Sequence, residues 1–306
     1  MGAGVFGRHH AAKYLHQPQV KLHAIADMSA EARRHVTTHM QVPAVADWRE
    51  LLGEVDLVSI CSPASTHAQI VGAFLKAGAH VLVEKPIATD LDEAEELIAL
   101  ADSRGLVLTV GHQERFVFAK SGLLDYEDEP LSVECVRTGP WTGRGTDVSV
   151  VLDLMIHDLD LVHRLVPGGP LAVRAFGRSV HGLLADEVTA DLTFENGTQV
   201  ELVTNRAADL RERFMRVVYP DGEIAIDFLT REVTNTTQRP LQPLELHDPL
   251  GESVAAFVTA VRGGPSTLVR PEEARRALET ALLIEDALVP ASQIPAKQRI
   301  ALRRTA

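Results

Sequence analysis

The chain has 306 residues, of which 45% are hydrophobic, so it can build one large domain or two smaller ones. Asp and Glu outnumber Lys and Arg by 42 to 30, and this acidity argues against general binding to nucleic acid or to an anionic membrane. The two cysteines form no CxxC or Cys/His cluster, which argues against a disulfide framework and a metal site. With no signal peptide and no long uncharged apolar run, we expect a soluble cytoplasmic protein.

The first third of the chain alternates short apolar segments with amphipathic ones. The apolar segments are predicted strands, at 20–27, 56–62, 80–86 and 106–112. The amphipathic segments between them are predicted helices, at 31–40, 67–78 and 91–105. Apolar strands between helices are typical of a parallel sheet that is covered on both faces. Residues 1–112 are therefore predicted to form a doubly wound α/β domain of the Rossmann type.

After residue 113 the pattern changes to a succession of strands. They are predicted at 131–138, 171–180, 187–194, 198–207, 213–220 and 223–228. An apolar helix is predicted over 149–166, and two helices near 252–262 and 272–288 follow the strands. Strands joined by hairpin turns favour an antiparallel sheet. We therefore expect a C-terminal α+β domain, residues 113–306, with a large, mostly antiparallel open sheet, whose last helices could pack back on the first domain.

A glycine motif opens the chain, with the GxGxxG spacing of Gly2-Ala3-Gly4-Val5-Phe6-Gly7. These glycines permit a tight turn, a close approach to a pyrophosphate, and close packing of a helix on a strand. Asp27 follows at the end of the next predicted strand, where a carboxylate accepts hydrogen bonds from ribose hydroxyls and repels a 2′-phosphate. The pattern predicts a dinucleotide site that prefers NAD to NADP. Contact of Arg33 or Arg34 with a 2′-phosphate stays open.

Only Met1 precedes this glycine motif. In a doubly wound sheet the motif follows the first strand, which lies at the centre of the sheet. We therefore expect the first strand to be missing, because the start codon was assigned too late or because the chain is a fragment. Loss of a central strand removes burial and hydrogen bonds from its neighbours, and so weakens the sheet.

Two further motifs are expected where strands of the first sheet end. CSPASTH covers 61–67, and VEKP covers 83–86. Ligands of open α/β sheets bind at the carboxyl edge of the strands, so Lys85 is expected to project toward a cleft. Most lysines are solvated surface residues, and that is the alternative for Lys85.

Asp153 and His157 lie four residues apart in the apolar segment 149–166. This spacing places both side chains on one face of a helix, and the apolar residues around them indicate a buried helix. A buried carboxylate and imidazole need partners, so they pair with each other or with a group in a cleft. Histidine suits proton transfer near neutral pH, which favours a catalytic role. A structural Asp–His pair is the alternative.

The chain resembles the Gfo/Idh/MocA family of sugar-type dehydrogenases in three motifs, which occur in this order: GAGVFG, the EKP lysine and the D-x-x-x-H helix. The resemblance covers nearly the whole chain. It implies a Rossmann domain that binds NAD(P), and a C-terminal domain whose open sheet lines the substrate cleft and forms the contact of a homodimer or homotetramer. It also implies that Lys85 hydrogen-bonds the reacting hydroxyl, His157 is the general acid/base, and Asp153 binds the substrate. No metal takes part in this chemistry.

The family also implies the residues that contact the cofactor. Ser62, Pro63 and His67 match the loop beside the nicotinamide ribose and the adenine. The remaining expected contacts come from the glycine motif, the end of the predicted strand 20–27 and the EKP motif. They are Gly2, Gly4, Val5, Phe6, Gly7, Asp27, Glu84 and Lys85.

VGHQERF (110–116) and RGTDVSVVLDLMIHDLDLV (144–162) are similar to one group in this family, the UDP-N-acetylglucosamine 3-dehydrogenases. That resemblance implies oxidation of the sugar 3-hydroxyl to a ketone by NAD, on the way to lipid A. The chain departs from the group at Val117-Phe118, where Asn-Pro is common, and in the GPWTG loop before Arg144. Both departures concern the expected substrate side.

A nucleotide sugar carries two phosphates, and guanidinium groups pair well with phosphate. Arg115, Arg144 and Arg206 are the candidates, with Arg144 first because it directly precedes the apolar helix. Solvated arginines are the alternative. A dehydrogenase of a free polyol such as an inositol would not need these arginines. An inactive NAD-binding sensor or partner protein is a further alternative, against which the intact Lys85 and His157 speak.

Overall fold

The computed structural model describes residues 1–125, 128–244 and 248–290. The chain forms two compact units. The first comprises Met1–Phe116 and Asp248–Arg275, and the second comprises Val117–His247 and Arg276–Ala306.

Strands and helices alternate along the first part of the chain. They are α1 (Val5–Leu15), β1 (Ile25–Ala26), α2 (Ala30–His39), β2 (Ala44–Val45), β3 (Leu57–Ile60), α3 (His67–Lys76), β4 (His80–Val83), α4 (Leu91–Ser103), β5 (Leu108–Val110) and α5 (Glu114–Ala119). Strands β3, β4 and β5 form a parallel sheet in that order, and β1 pairs in parallel with β2. Val81, Leu82 and Val83 of β4 are completely buried, as expected for a strand that is covered on both faces. The predicted Rossmann-type architecture is confirmed.

The start of the chain lies between β1 and β3. The Met1 amino group donates to the Ser59 carbonyl over 2.6 Å, and the Gly2 N–H donates to the Ala26 carbonyl over 2.9 Å. In the described residues no strand joins β1 to β3, and a cavity of about 290 Å³ lies between residues 19–25 and residues 54–59. The strand predicted over 20–27 is therefore reduced to Ile25–Ala26, because residues 20–24 have no neighbouring strand.

The later part of the chain contains most of the strands. Its elements are β6 (Ser132–Thr138), α6 (Ile156–Leu165), β7 (Pro170–Arg178), β8 (Glu187–Phe194), β9 (Gln199–Asn205), β10 (Glu212–Tyr219), β11 (Gly222–Asp227), β12 (Val233–Asn235), α7 (Pro249–Val261), α8 (Pro271–Asp286) and β13 (Leu288–Pro290). The sheet order is β12-β11-β10-β6-β9-β8-β7-β13. Among the strands that the structure describes in this sheet, only the β6–β9 and β7–β13 pairs are parallel, which confirms a large, mostly antiparallel sheet.

The helix predicted over 149–166 is divided. Val151–Met155 forms a π-helical turn, and the regular α-helix α6 begins at Ile156. Such turns are rare and occur frequently at functional sites. Among the described residues, no helix is both long enough and apolar enough to cross a membrane.

Candidate active site

The glycine motif has the geometry that the sequence predicts for a phosphate loop. Gly2 has a φ of +83°, and a Cβ on Gly7 would lie 1.9 Å from the Gly2 carbonyl oxygen. A Cβ on Gly4 would meet nothing within 4 Å. Helix α1 begins directly after Gly4, which forms no side-chain cap, and Val5 and Phe6 in its first turn are exposed. The N–H groups of this turn can therefore bind an anion, as a dinucleotide phosphate requires.

Asp27 links the glycine motif to the end of β1. Its Oδ2 accepts a hydrogen bond from the Ala3 N–H over 2.6 Å, and its Oδ1 accepts one from the Ser29 N–H over 2.7 Å. Arg33 donates to the carbonyl oxygens of Asp27 and Met28, at 2.7 and 2.9 Å. Each carboxylate oxygen keeps a further lone pair, so Asp27 can still accept from a ribose hydroxyl.

His67 ties the loop after β3 to the EKP segment. Its ring is buried, with Nδ1 2.7 Å from the Pro86 carbonyl oxygen and Nε2 3.0 Å from the Ser62 carbonyl oxygen. Burial lowers the pKa of His67. Thr66 Oγ1 donates to the Pro63 carbonyl oxygen over 2.7 Å and shares a second hydrogen bond of 2.7 Å with Ser62 Oγ. His67 therefore stabilises this loop from the inside, while Ser62 and Pro63 lie at its surface.

The EKP segment follows the buried strand β4. The Glu84 N–H donates to the Ile60 carbonyl oxygen over 2.9 Å, which continues the pairing with β3 by one residue. Lys85 is partly buried, and the Lys85–Pro86 peptide is cis. The Glu84 carboxylate is buried and is contacted by His10 of α1 and by Gln113. The sequence analysis assigned no role to His10, although this residue lies only three positions after Gly7.

Asp153 lies in the π-helical turn of the second unit. Its carboxylate rests against Gly145, where a Cβ would lie 2.5 Å from Oδ2, and Gly145 has a φ of +64°. Asp153 also lies 3.7 Å from the Arg206 guanidinium. His157 is partly buried at the start of α6, and the next residue, Asp158, forms a buried two-bond ion pair with Arg137.

Arg206 is an internal structural residue. It is 6% exposed and donates from Nε to Asp186 Oδ1 over 2.8 Å, and from Nη1 to the carbonyl oxygens of Gly145 and Val148. Burial raises the pKa of Asp186, but hydrogen bonds from two backbone N–H groups and from Arg206 outweigh it and lower that pKa. The sequence had placed Arg206 among the phosphate candidates and had missed Asp186, which carries no motif.

The other two arginine candidates differ in their surroundings. Arg115 forms an ion pair with Glu273, and both side chains are 11% exposed. Arg144 is exposed, and no hydrogen bond or ion pair joins it to any residue that the structure describes. In a nearby loop of the same unit, the rings of Trp141 and His181 stack with centroids 4.1 Å apart. Arg144 is therefore the candidate whose guanidinium is available to a phosphate.

Family models match most of the chain. Residues 1–112 match the oxidoreductase family with an NAD-binding Rossmann fold, and residues 125–225 match the Gfo/Idh/MocA C-terminal domain.

Individual relatives agree with these matches. The UDP-N-acetylglucosamine 3-dehydrogenase of Acidithiobacillus ferrooxidans is 38% identical over 230 residues, which are 75% of this chain and 73% of that protein. A solved structure of that enzyme, GnnA, is similar with a TM-score of 0.84 and 34% identity, covering 94% of this chain and 95% of that one. An inositol 2-dehydrogenase/D-chiro-inositol 3-dehydrogenase of Halalkalibacterium halodurans is 32% identical over 178 residues, 54% of this chain and 51% of that protein.

These matches confirm the resemblance that the glycine motif, the EKP segment and the D-x-x-x-H spacing carry. The chain belongs to the Gfo/Idh/MocA family of NAD-binding oxidoreductases.

Proposed function

We propose that this chain oxidises the 3-hydroxyl of UDP-N-acetylglucosamine to a ketone and prefers NAD to NADP. The observation that carries the proposal is the similarity to the Acidithiobacillus ferrooxidans dehydrogenase in both sequence and fold. The uncapped first turn of α1 and the Asp27 carboxylate fit the pyrophosphate and the ribose of a dinucleotide. The negative charge of Asp27 disfavours the 2′-phosphate of NADP.

In the proposed reaction, bound NAD supplies the hydride acceptor for the carbinol carbon. Lys85 donates a hydrogen bond to the reacting oxygen and His157 accepts the hydroxyl proton, so that the products are a ketone, NADH and one proton. Asp153 contacts the sugar. Arg144 binds the diphosphate, and Arg115 takes part only if phosphate displaces Glu273 from its guanidinium. The cofactor is lined by residues of the glycine motif and of the loop after β3, which are Gly2, Gly4, Val5, Phe6, Gly7, Ser62 and Pro63.

The test is NADH formation by the purified chain with UDP-N-acetylglucosamine and, in parallel, with myo-inositol. We expect turnover of the nucleotide sugar, and a loss of about 10²- to 10⁴-fold in kcat for Lys85→Ala and for His157→Ala. Lys76→Ala removes an exposed lysine of α3 and is the matched control. If the wild type turns over myo-inositol but not UDP-N-acetylglucosamine, the substrate class is a free polyol and the proposal is refuted. Normal turnover by Lys85→Ala would remove its assignment.

Arg144 distinguishes the two substrate classes within one experiment. Arg144→Ala is expected to raise KM for the nucleotide sugar by about 10-fold, because an exposed arginine that binds phosphate acts mainly on binding. KM for any free polyol is expected to stay unchanged. An equal KM for UDP-N-acetylglucosamine in both proteins would show that Arg144 does not hold the diphosphate.

We also propose that the partly exposed face of the large sheet joins copies of the chain in a homodimer or homotetramer. A row of charged residues crosses this face in strand register, in the order Arg174, Asp191, Glu201, Glu134 and Arg216. A two-fold axis that passes off the centre of this row sets an arginine of one copy against a carboxylate of the other. Light scattering of the Arg174→Glu/Arg216→Glu variant is expected to give a monomer, and an unchanged oligomer would refute this contact.

A 3-keto nucleotide sugar is a substrate for amino transfer, so we propose a place for the reaction before an aminotransferase in lipid A precursor synthesis in the cytoplasm. The measurement is product trapping with a sugar aminotransferase and an amino donor. If NADH forms normally but no diamino sugar nucleotide appears, the proposed place in lipid A precursor synthesis is refuted, while the proposed oxidation stands.

A further inference from the structure

The Glu84 carboxylate is buried at the end of β4, and side chains from two other segments hold it. His10 Nε2 of α1 lies 2.8 Å from Glu84 Oε1, across 74 positions of sequence. Gln113 Nε2, from the segment after β5, donates to the same oxygen over 3.0 Å. A buried carboxylate is stable only when charge and hydrogen bonds compensate it, and these two residues supply both.

The surroundings of His10 favour the protonated form of its ring. Burial by itself lowers the pKa of His10, but Cys61 and Glu84 outweigh this effect and raise it to about 10. The second ring nitrogen, Nδ1, lies 3.3 Å from Ser59 Oγ, which in turn is 2.7 Å from the Tyr14 hydroxyl. A buried polar chain therefore connects helix α1 to β3 and to the end of β4.

Gly111 leaves the space that the carboxylate needs. A Cβ at this position would lie 2.6 Å from Glu84 Oε1 and 2.9 Å from Cδ, so any side chain there would displace the carboxylate. Gly111 and Gln113 both belong to the GHQERF segment, in which the proposed reaction otherwise uses only Arg115. Both residues act on Glu84.

We propose that Glu84 is a positioning residue: His10 and Gln113 clamp its carboxylate, and the clamp fixes the strand end that carries Lys85 relative to the glycine-motif helix. This rests on the proposed function, since it takes Lys85 as a group that acts on the substrate. A released carboxylate one residue from Lys85 would attract its ammonium, and a mobile strand end would misplace it. Glu84 thus supports the site, whereas the sequence predicted a cofactor contact.

The experiment compares four variants of the full chain. His10→Ala and Gly111→Ala break the clamp, and His10→Gln keeps a donor that can reach Glu84. His16→Ala removes an exposed histidine that directly follows the same helix. We expect His10→Ala and Gly111→Ala to lower kcat by about 10- to 100-fold, with KM for NAD changed less than about threefold. His10→Gln should recover most of this loss, and His16→Ala should match the wild type.

A second readout does not depend on any substrate. Hydrogen exchange of residues 84–87 is expected to accelerate in His10→Ala and Gly111→Ala but to stay unchanged at 81–83. If the loss of kcat in His10→Ala comes from the broken His10–Glu84 pair, adding Glu84→Gln to His10→Ala lowers kcat no further. The clamp is refuted if folded His10→Ala keeps wild-type kcat, or if exchange rises equally throughout the unit. Wild-type inactivity on every sugar would overturn the proposed function alone, and the exchange at 84–87 would then decide on the clamp.

Discussion

The Arg206 guanidinium donates from Nε to Oδ1 of Asp186 over 2.8 Å, and both side chains are buried. The same carboxylate accepts N–H bonds from Val180 and His181 through Oδ2, while Nη1 of Arg206 reaches the carbonyl oxygens of Gly145 and Val148. This single ion pair therefore fixes two loops, and one of them rests on Asp153.

Breaking this pair is expected to destabilise the protein strongly. Arg206→Ala leaves a buried carboxylate without its cation and should cost about 3–5 kcal/mol in the free energy of unfolding. Arg206→Lys keeps the charge but not the forked geometry, and should cost less. Urea unfolding measures both. The control is Arg178→Ala, which removes an exposed ion pair with Glu187 and should cost under about 1 kcal/mol. Equal losses for Arg206→Ala and Arg178→Ala would contradict the structural role of Arg206.

The glycines of the loop are expected to respond differently to alanine. Gly7→Ala places a Cβ on the Gly2 carbonyl, a clash with backbone that nearby side chains cannot relieve, and should cost at least about 2 kcal/mol. Gly4→Ala meets open space and should leave stability within about 1 kcal/mol of the wild type. Because Gly4 adjoins the first turn of α1, the new methyl group should still weaken NADH binding. Thermal unfolding and NADH fluorescence titration separate the two effects, and normal NADH affinity in Gly4→Ala would remove Gly4 from the cofactor contacts.

Asp27→Asn tests the choice of cofactor. The amide oxygen can keep the hydrogen bond from the Ala3 N–H while the negative charge disappears. We expect the ratio of kcat/KM for NAD to that for NADP to fall by about 10-fold or more, because the repulsion of a 2′-phosphate is lost. Adding Arg34→Ala shows whether that arginine binds the 2′-phosphate. An unchanged ratio in Asp27→Asn would mean that other groups set the preference.

The raised pKa of His10, whose ring faces Cys61 and Glu84, makes stability depend on pH. Since the pKa of His10 is raised to about 10 in the fold, its contribution is complete below the unfolded value of about 6.5 and is lost as the pH rises through about 10. The stability difference between the wild type and His10→Gln should therefore shrink between these values, by at most about 1.4 kcal/mol per pH unit. Urea unfolding at several pH values measures it. A difference that stays constant up to pH 10 would show that His10 is not charged in the fold.

Local sequence patterns carried much of the prediction. Strands β3, β4 and β5 and the helices between them follow from the hydrophobic pattern of residues that are close in sequence. The spacing of the loop glycines is likewise a local feature of the sequence. The motifs also singled out Asp27, Lys85, Asp153 and His157 as candidate site residues, and their roles stay predictions. The extent of β1 was wrong for a physical reason, since a strand exists only where another strand pairs with it.

By itself, the sequence determined the order of the elements, the two kinds of sheet, the family and the candidate chemical groups, because these follow from local periodicity and short motifs. Only the tertiary structure decided what those groups touch: Glu84 meets His10, Arg115 meets Glu273, and Arg206 meets Asp186. It also decided where the helix at Asp153 becomes a π-helical turn. The physical reason is that the energy of a buried charge depends on partners brought close by folding, and nothing in the local sequence identifies those partners.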